Sequence, residues 1–579
     1  MEYLNTSATQ SSELVMNKSS YIQIILGLLL LFPLLLLLRW QSSNGGEAGK
    51  EPPLMAETVP YISNSLLCLS NMGAFLDKVR ETLETRKSGI AKVYLGFRPV
   101  YIVAGAQNVQ RLFGSPEVLD GDFIHFILMN AQWGLTQAEM ARFRKDKSGR
   151  HKKPLPGTEQ TPDDQRYWRN HNLLYANFLS EASHSDALAA QFTTRFAERL
   201  DGQPVGVWTT VRLLDFLKAH MAECAIATLF GTRLLELNPE LVKRYWEYDA
   251  VAGRLILGFP HWMQPRAVRV KARLHAMVLR HIDAAWDSFD WAGPDADAAW
   301  EPHFGSRLSR ESARWLREQG FSDHVAAGHT LATLFGLNGN TVPITAWAMM
   351  ELIRDPALLR AVRDELRQSG ACAPDSDTRS GPTPLIASRV VGLPLLQSLY
   401  VEAMRLHVSF SVTREVRKGP VELVPGYRGA ETGALVQAVS DMAHLDEAVW
   451  GVDGHPASEF WAWRHVKFVD DEPEEQEEDD SERNSPVRTR KMQFAMRGRP
   501  SSFFPYGGGY WVCPGRHFAK MEIMLALALM VTKFDFEFVE WTNLDGTKSD
   551  RPARDDRNYA GIIAMVPDRD MTFQWKRIC

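Results

Sequence analysis

Long apolar-periodic stretches dominate this chain, and short apolar runs are fewer. Apolar residues recur at helical spacing over 331–353, over 395–406 behind Pro394, and over 516–532 behind Pro514-Gly515, which predicts three helices. Shorter runs at 91–95, 100–104 and 436–439 predict strands. The pattern predicts a mainly α fold with small β-sheets. The stretch 121–136, GDFIHFILMNAQWGLT, is expected as a loop roofing the interior. One run differs in kind. Residues 21–38 read YIQIILGLLLLFPLLLLL, eighteen residues without a charge, close to the shortest helix that spans a bilayer. Arg39 and Trp40 follow, a cation and an aromatic suited to a membrane interface.

Composition narrows the class. Of 579 residues, 45% are hydrophobic and 23% charged, which supports a full core and excludes wholesale disorder. Net charge is −5, with no basic excess to hold a nucleic acid, and none is expected as a partner. The five cysteines, Cys68, Cys224, Cys372, Cys513 and Cys579, form no CxxC pair, so neither a zinc nor a disulfide framework is expected. The organisation read from these features has four parts. Residues 1–20 are a lumenal tail carrying sequons at Asn5 and Asn17, which predict a glycoprotein, and 21–38 are a single transmembrane anchor. Residues 39–59 are a Ser/Gly/Glu-rich linker ending in Pro52-Pro53, and 60–579 are one large cytosolic domain. Within it, 470–482 hold ten acidic residues in thirteen and a basic stretch follows, so 470–500 is expected as a charged surface insert.

The chemistry concentrates at 503–519, FFPYGGGYWVCPGRHFA. Three glycines lie four to six residues before Cys513, and glycine permits tight turns and close backbone approach to a flat ligand. Cys513 sits just ahead of the helix predicted from Arg516, whose N-terminus is expected to favour a thiolate.

This segment resembles the haem-binding loop of the cytochrome P450 family, F-x-x-G-x-x-x-C-x-G, met here by Tyr506, Gly509, Cys513 and Gly515, with Tyr replacing Phe. The resemblance implies haem b with Cys513 as axial thiolate and metal ligand, and Tyr506, Gly507, Gly509 and Arg414 as further cofactor contacts. A thiolate ligand pushes electron density toward oxygen–oxygen cleavage. The family often pairs a haem propionate with Arg or His two residues before the cysteine. Trp511 stands there instead, so that pairing is expected elsewhere. Glu402 and Arg405 match the family's E-x-x-R motif, and Arg464, in FWAWR, resembles the arginine that completes a structural Glu–Arg–Arg cluster.

The stretch FGLNGNTVPITAWAMMELIRDP resembles the family's long central helix. Members carry (A/G)-G-x-(D/E)-T there, an acid and an alcohol that relay protons. Here Gly336 holds the first position, Gly339 replaces the acid, Asn340 replaces the alcohol, and Thr341 follows. Asn340 and Thr341 are the expected catalytic residues. Pro343 lacks an amide hydrogen, so the Gly339 carbonyl loses its helical partner, which is expected to kink the helix and open a polar notch. The run from Asn340 to Trp347 is similar to the subgroup of bile-acid-type sterol hydroxylases and prostacyclin synthase. The function this implies is a membrane-anchored monooxygenase of the endoplasmic reticulum. It would oxidise an apolar sterol- or terpenoid-like compound in secondary metabolism, with electrons from NADPH through cytochrome P450 reductase. Two alternatives stand beside it: a redox-neutral isomerase or dehydratase acting on a peroxide or oxygenated terpenoid, and a haem sensor without turnover. Leu337, Ser411 and Val412 are the expected substrate contacts, and Arg488, Arg490, Lys491, Arg497 and Arg499 the expected reductase patch.

Overall fold

The computed structural model describes residues 50–256, 258, 261–371, 385–470 and 490–578. The expected anchor, both sequons and most of the acidic insert lie outside the described residues. Among the described residues no helix is long and apolar enough to cross a membrane.

Helices make up the body, and those that shape the interior come in this order: α1 (Asp122–Gln132), α2 (Tyr167–Leu179), α3 (Ala182–Asp201), α4 (Leu241–Ile256), α5 (Pro265–Ser288), α6 (Asp323–Arg354), α7 (Pro394–His407) and α8 (Arg516–Lys533). All three predicted helices are present as α6, α7 and α8. Helix α6 is the axis. It opens with Asp323 and closes with Arg354, charges that complement the helix dipole at each end. From Leu331 to Ile353 nearly every side chain is buried, and α5, α7 and α8 pack around it. Helix α7 starts at Pro394, which suits a first helical position, and the buried Glu365 carboxylate accepts from the amides of Leu395 (2.7 Å) and Leu396 (3.0 Å). Helix α8 is apolar on all sides because α3, α6 and α7 enclose it.

The sheets are peripheral. Strands β1 (Ile90–Leu95), β2 (Arg98–Val103), β3 (Leu119–Asp120), β5 (Ser411–Val416) and β6 (Leu435–Val439) form one sheet in the order β1-β2-β6-β5-β3. The β2–β6 pair is parallel, with Val100 opposite Leu435, and the other pairs are antiparallel. Strand β4 (Trp208–Arg212) pairs with the last strand, β10 (Asp570–Arg577), which also pairs with β9 (Phe534–Thr542). A further hairpin joins β7 (Val466–Asp470) to β8 (Arg490–Phe494). The charged insert therefore leaves the body from the tip of a hairpin.

Two expectations are corrected. The stretch 121–136 is mostly helix α1, not a loop: its run Phe123 to Met129 holds neither Gly nor Pro, and Asp122 places a negative charge in the first turn. The linker does not extend to 59. Glu51 bridges Lys92 (3.4 Å) and Arg428 (3.1 Å), Met55 is buried, and the Pro53 carbonyl accepts from the Lys92 amide, so residues 50–59 pack onto the first sheet.

Candidate active site

The segment ahead of α8 closes on itself. The Cys513 amide donates to the Tyr506 carbonyl at 2.9 Å, which fixes the loop between them. Gly507 (φ +71°) and Gly509 (φ +65°) take left-handed conformations that other residues adopt at a cost. A side chain at Gly508 would come within 2.3 Å of the Phe113 ring, so the loop lies flat against the helix that carries Phe113. Ser180 holds the next turn through the Pro514 carbonyl at 3.1 Å. The Tyr506 hydroxyl meets the Tyr400 hydroxyl of α7 at 2.7 Å. Cys513 is half-buried at the end of this loop, and the amides of Gly515 and Arg516 point at its sulfur. Burial pushes its thiol up. The two amides and the Arg516 charge pull the other way, the direction expected of the helix N-terminus, but burial outweighs them. A thiolate here needs a cation against the sulfur.

Below the loop, Glu402, Arg405 and Arg464 form one fully buried cluster. Arg405 donates to both Glu402 oxygens (2.7 and 2.9 Å), and Arg464 Nε donates to Oε2 (3.0 Å). Burial would raise the carboxyl, but the hydrogen bonds of Arg405 and His465 and the two guanidinium charges hold it at about 2. The remaining guanidinium donors go to carbonyls: Arg405 to His444 (2.9 Å) and Ala457, Arg464 to Trp450 (2.5 Å) and Glu459 (2.9 Å). His444 in turn accepts from the Phe504 amide at 3.1 Å, so the cluster reaches the cysteine loop through one residue.

Trp511 is built into a second polar knot. Its indole N–H donates to Asp122 Oδ1 at 2.9 Å, and Arg150 Nε donates to the same oxygen at 2.9 Å. The Arg414 guanidinium lies 4.5 Å from the Trp511 ring and donates to the Thr413 (3.0 Å) and Gly508 (2.9 Å) carbonyls. Asp120 is taken by Arg417 at 2.8 Å. His125 is neutral, its pKa held at about 3 by burial and the Arg150 charge. Arg150 pairs with Asp122, Arg417 reaches both Asp120 and Asp122 (3.7 Å), and among the described residues Arg414 pairs with no carboxylate within 4 Å. Arg414 Nε and Arg150 Nη2 are buried without a hydrogen-bond partner. Such orphaned cationic donors call for an anion.

On α6 the expected pair separates. Gly336 is exposed, with nothing within 4 Å of a Cβ placed there, and Asn340 is half-buried one turn on. The Asn340 amide donates to the Gly336 carbonyl (3.3 Å) and accepts from the Ala564 amide (3.0 Å). Thr341 points elsewhere. It is buried, donates to the Leu337 carbonyl (2.9 Å) and faces Glu522 Oε1 of α8 at 3.2 Å, which corrects its expected place in the notch. One residue turns the helix by about 100°, so neighbours cannot share a face. The helix runs unbroken through Pro343. Leu337 is buried in the main core, and Val412 packs in the first sheet's core, 3.9 Å from a Cβ placed at Gly507. Ser411 is half-buried, and its amide donates to the Gly561 carbonyl at 3.0 Å.

A cysteine offered by a glycine loop, with one partnerless guanidinium nitrogen each on Arg414 and Arg150, suits a planar anionic metal cofactor. The family model described as Cytochrome P450 matches residues 477–549. Over 540 residues the chain is 41% identical to cytochrome P450 monooxygenase calL of Penicillium decumbens, covering 93% of this chain and 95% of that protein. It is 26% identical to cytochrome P450 monooxygenase fsoE of Humicola fuscoatra, over 86% of each. It is 24% identical to cholesterol 7-alpha-monooxygenase of Cricetulus griseus, over 91% of this chain and 93% of that protein. The chain belongs to the cytochrome P450 family and is an oxidoreductase of its monooxygenase kind.

The family implies haem held by a cysteine thiolate, and the residues present fit it. Iron supplies the cation that the sulfur needs, and the two haem carboxylates match the orphaned nitrogens of Arg414 and Arg150. Sequence reading singled out Cys513 and Arg414, and the fold brings Arg414 onto the Gly508 carbonyl of the cysteine loop. The same reading missed Arg150 and Asp122, which sit in segments without a motif; the only signal was Trp511 where a cation was expected.

Proposed function

We propose that this enzyme hydroxylates a sterol- or terpenoid-like substrate in secondary metabolism. In this reading Cys513 holds the haem iron, Arg414 and Arg150 hold the haem carboxylates, and the Glu402 cluster braces the cysteine loop. Bound haem supplies oxygen activation, with one atom entering a C–H bond and the other leaving as water. The chain's own residues do the rest. The loop of Gly507 and Gly509 lets backbone approach the cofactor. Asn340, with its amide spent on backbone, leaves the open face of α6 without a charge, which suits a saturated polycycle. That uncharged face is the observation that carries the substrate class, and the relative named cholesterol 7-alpha-monooxygenase supports it.

Electrons come from NADPH through cytochrome P450 reductase, docking on Lys491, Arg497 and Arg499, all exposed ahead of the cysteine loop. Arg490 begins β8 in the same region, and Arg488 lies outside the described residues. Residues 21–38 anchor the enzyme in the endoplasmic reticulum membrane with 60–579 cytosolic. The test uses microsomes with and without reductase, a panel of sterols and terpenoids, and isotopically labelled oxygen. Label in one product atom, only with reductase and NADPH, is expected. An unlabelled isomer or dehydration product formed without reductase would establish the redox-neutral alternative instead.

A further inference from the structure

The missing acid of the central helix has a counterpart on a different element. Position 339 carries no side chain. A Cβ placed there would lie 3.0 Å from Asp249 Oδ1 and 3.5 Å from the Tyr245 hydroxyl. Asp249 comes from α4, packed across α6 at this point, and it is buried. The glycine makes the gap, and the neighbouring helix fills it with a carboxylate.

The surroundings of this carboxylate are unlike those of a structural ion pair. Among the described residues, no arginine, lysine or histidine forms an ion pair with it within 4 Å, whereas Glu402 has three such partners at that distance. Its hydrogen-bond partner is a hydroxyl: Tyr245 donates to Oδ1 at 3.4 Å, and the Tyr559 phenol, from the segment ahead of β10, helps hold its pKa down. Tyr248, on its own helix, is occupied with Gln132 at 3.0 Å. The charge facing it is Lys218, from the π-turn Leu217–Met221, whose ammonium lies 5.1 Å from the Trp246 ring. Burial pushes the Asp249 carboxyl up to about 6, against the Lys218 charge and the two tyrosines. A carboxyl that titrates near neutrality can both give and take a proton under working conditions.

We propose that Asp249 is the proton donor for this enzyme's oxygen chemistry, acting across the Gly339 gap onto the Gly336–Asn340 face. The proposal rests on the monooxygenase reading. Each turnover consumes one oxygen, two electrons and two protons, and yields one hydroxylated product and one water. Asp249 gives a proton through water toward that face. It takes one back through water from solvent, and the Lys218 charge only sets where it titrates. Acid and helix gap are thus separate parts of one device.

The first variant is Asp249→Asn, isosteric and unable to exchange a proton. With NADPH and reductase, product per NADPH is expected to fall about 10²-fold, with the electrons appearing as hydrogen peroxide. Turnover driven by added peroxide, which brings its own protons, is expected to hold. The double variant Asp249→Ala with Gly339→Asp, which moves the acid onto α6, is expected to recover coupling. Infrared difference spectra of the unligated wild-type protein should show a buried carboxyl band that titrates near pH 6 and is lost in Asp249→Asn. In Lys218→Met that midpoint should move up, because the removed charge holds it down. Unchanged coupling in Asp249→Asn, equal loss of peroxide-driven turnover, or a Lys218→Met midpoint that does not move would each overturn the proposal. Where Asp249→Asn fails to fold, the infrared titration of wild type and Lys218→Met decides. Failure of the monooxygenase reading shows separately, as wild-type product without oxygen label.

Discussion

The two sides of this site are built differently. The cysteine side is local: a loop of eleven residues, 503–513, and the first turn of α8 shape it, and its glycines and Cys513 are contiguous in the chain. The α6 side is assembled from distance. Asn340 is held by Ala564, Thr341 faces Glu522, and the gap at Gly339 is filled by Asp249. A side built from consecutive residues has few partners to exchange. A side assembled from several elements can exchange one partner for another while keeping its chemistry.

The largest expected effect tests the local side. Cys513→Ser keeps the loop's hydrogen bonds, because its amide, not its side chain, bonds the Tyr506 carbonyl. Turnover and the thiolate-type spectrum of the reduced carbon monoxide complex are expected to vanish while circular dichroism stays native. A retained thiolate spectrum would remove Cys513 from its role. Glu402→Gln comes next. It strips the charge from under two buried guanidinium groups, and the stability loss is expected at about 3–5 kcal/mol. Chemical denaturation of the holoenzyme checks it. A loss under about 1 kcal/mol would mean that the carbonyl acceptors suffice for Arg405 and Arg464.

The same contrast decides what the sequence disclosed. Helices α6, α7 and α8 were legible because each apolar stretch is longer than a strand, and Pro394 and Pro514-Gly515 mark where α7 and α8 begin. The Cys513 loop was legible because its glycines and cysteine are consecutive. Arg464 was legible because its spacing from Phe460 matches a family element. Arg150 was not: it acts by folding back on Asp122 and Trp511, and nothing near it in the chain marks that contact. The α1 stretch was misjudged because an unbroken apolar run has no period to separate a roof loop from a helix. Thr341 followed Asn340 in sequence and so looked like a partner, yet the helix turns adjacent residues apart.

A third, smaller effect sharpens the comparison on the assembled side. Burial pushes the Glu522 carboxyl up to about 8, against the Thr341 hydrogen bond, and nothing cationic compensates. Its folded pKa lies above the ordinary carboxyl value, so protonation favours the fold. That stability is complete below about pH 4 and is lost as pH rises through about 8. Glu522→Gln keeps an oxygen for Thr341 and removes the titration. The variant is expected to match wild type near pH 4 and to exceed it progressively up to pH 8, by on the order of a few kcal/mol. Parallel stability curves for the two proteins across that range would mean that Glu522 has found a cation on loading with haem.

The smallest effect falls outside the cysteine loop, where the proposed reductase face lies. Lys491, Arg497 and Arg499 are exposed, and Arg497 already spends donors on the Val449 (3.1 Å) and Gly451 (3.2 Å) carbonyls. Charges of this kind steer an encounter more than they hold a complex, and salt screens them over about 8–10 Å. Reversing Lys491 and Arg499 to Glu, with Arg497 left in place to keep its carbonyl contacts, is expected to slow reductase-driven turnover roughly tenfold at low salt. The deficit should shrink as salt rises, and peroxide-driven turnover should be unchanged, because no reductase takes part in it. A deficit that persists in high salt would mean that the two substitutions disturb the hairpin β7–β8 rather than the encounter. Equal loss with peroxide would place the damage in the cysteine loop itself. Either result would move this face from the enzyme's partner-binding exterior to the locally built side that begins a few residues later at Phe503.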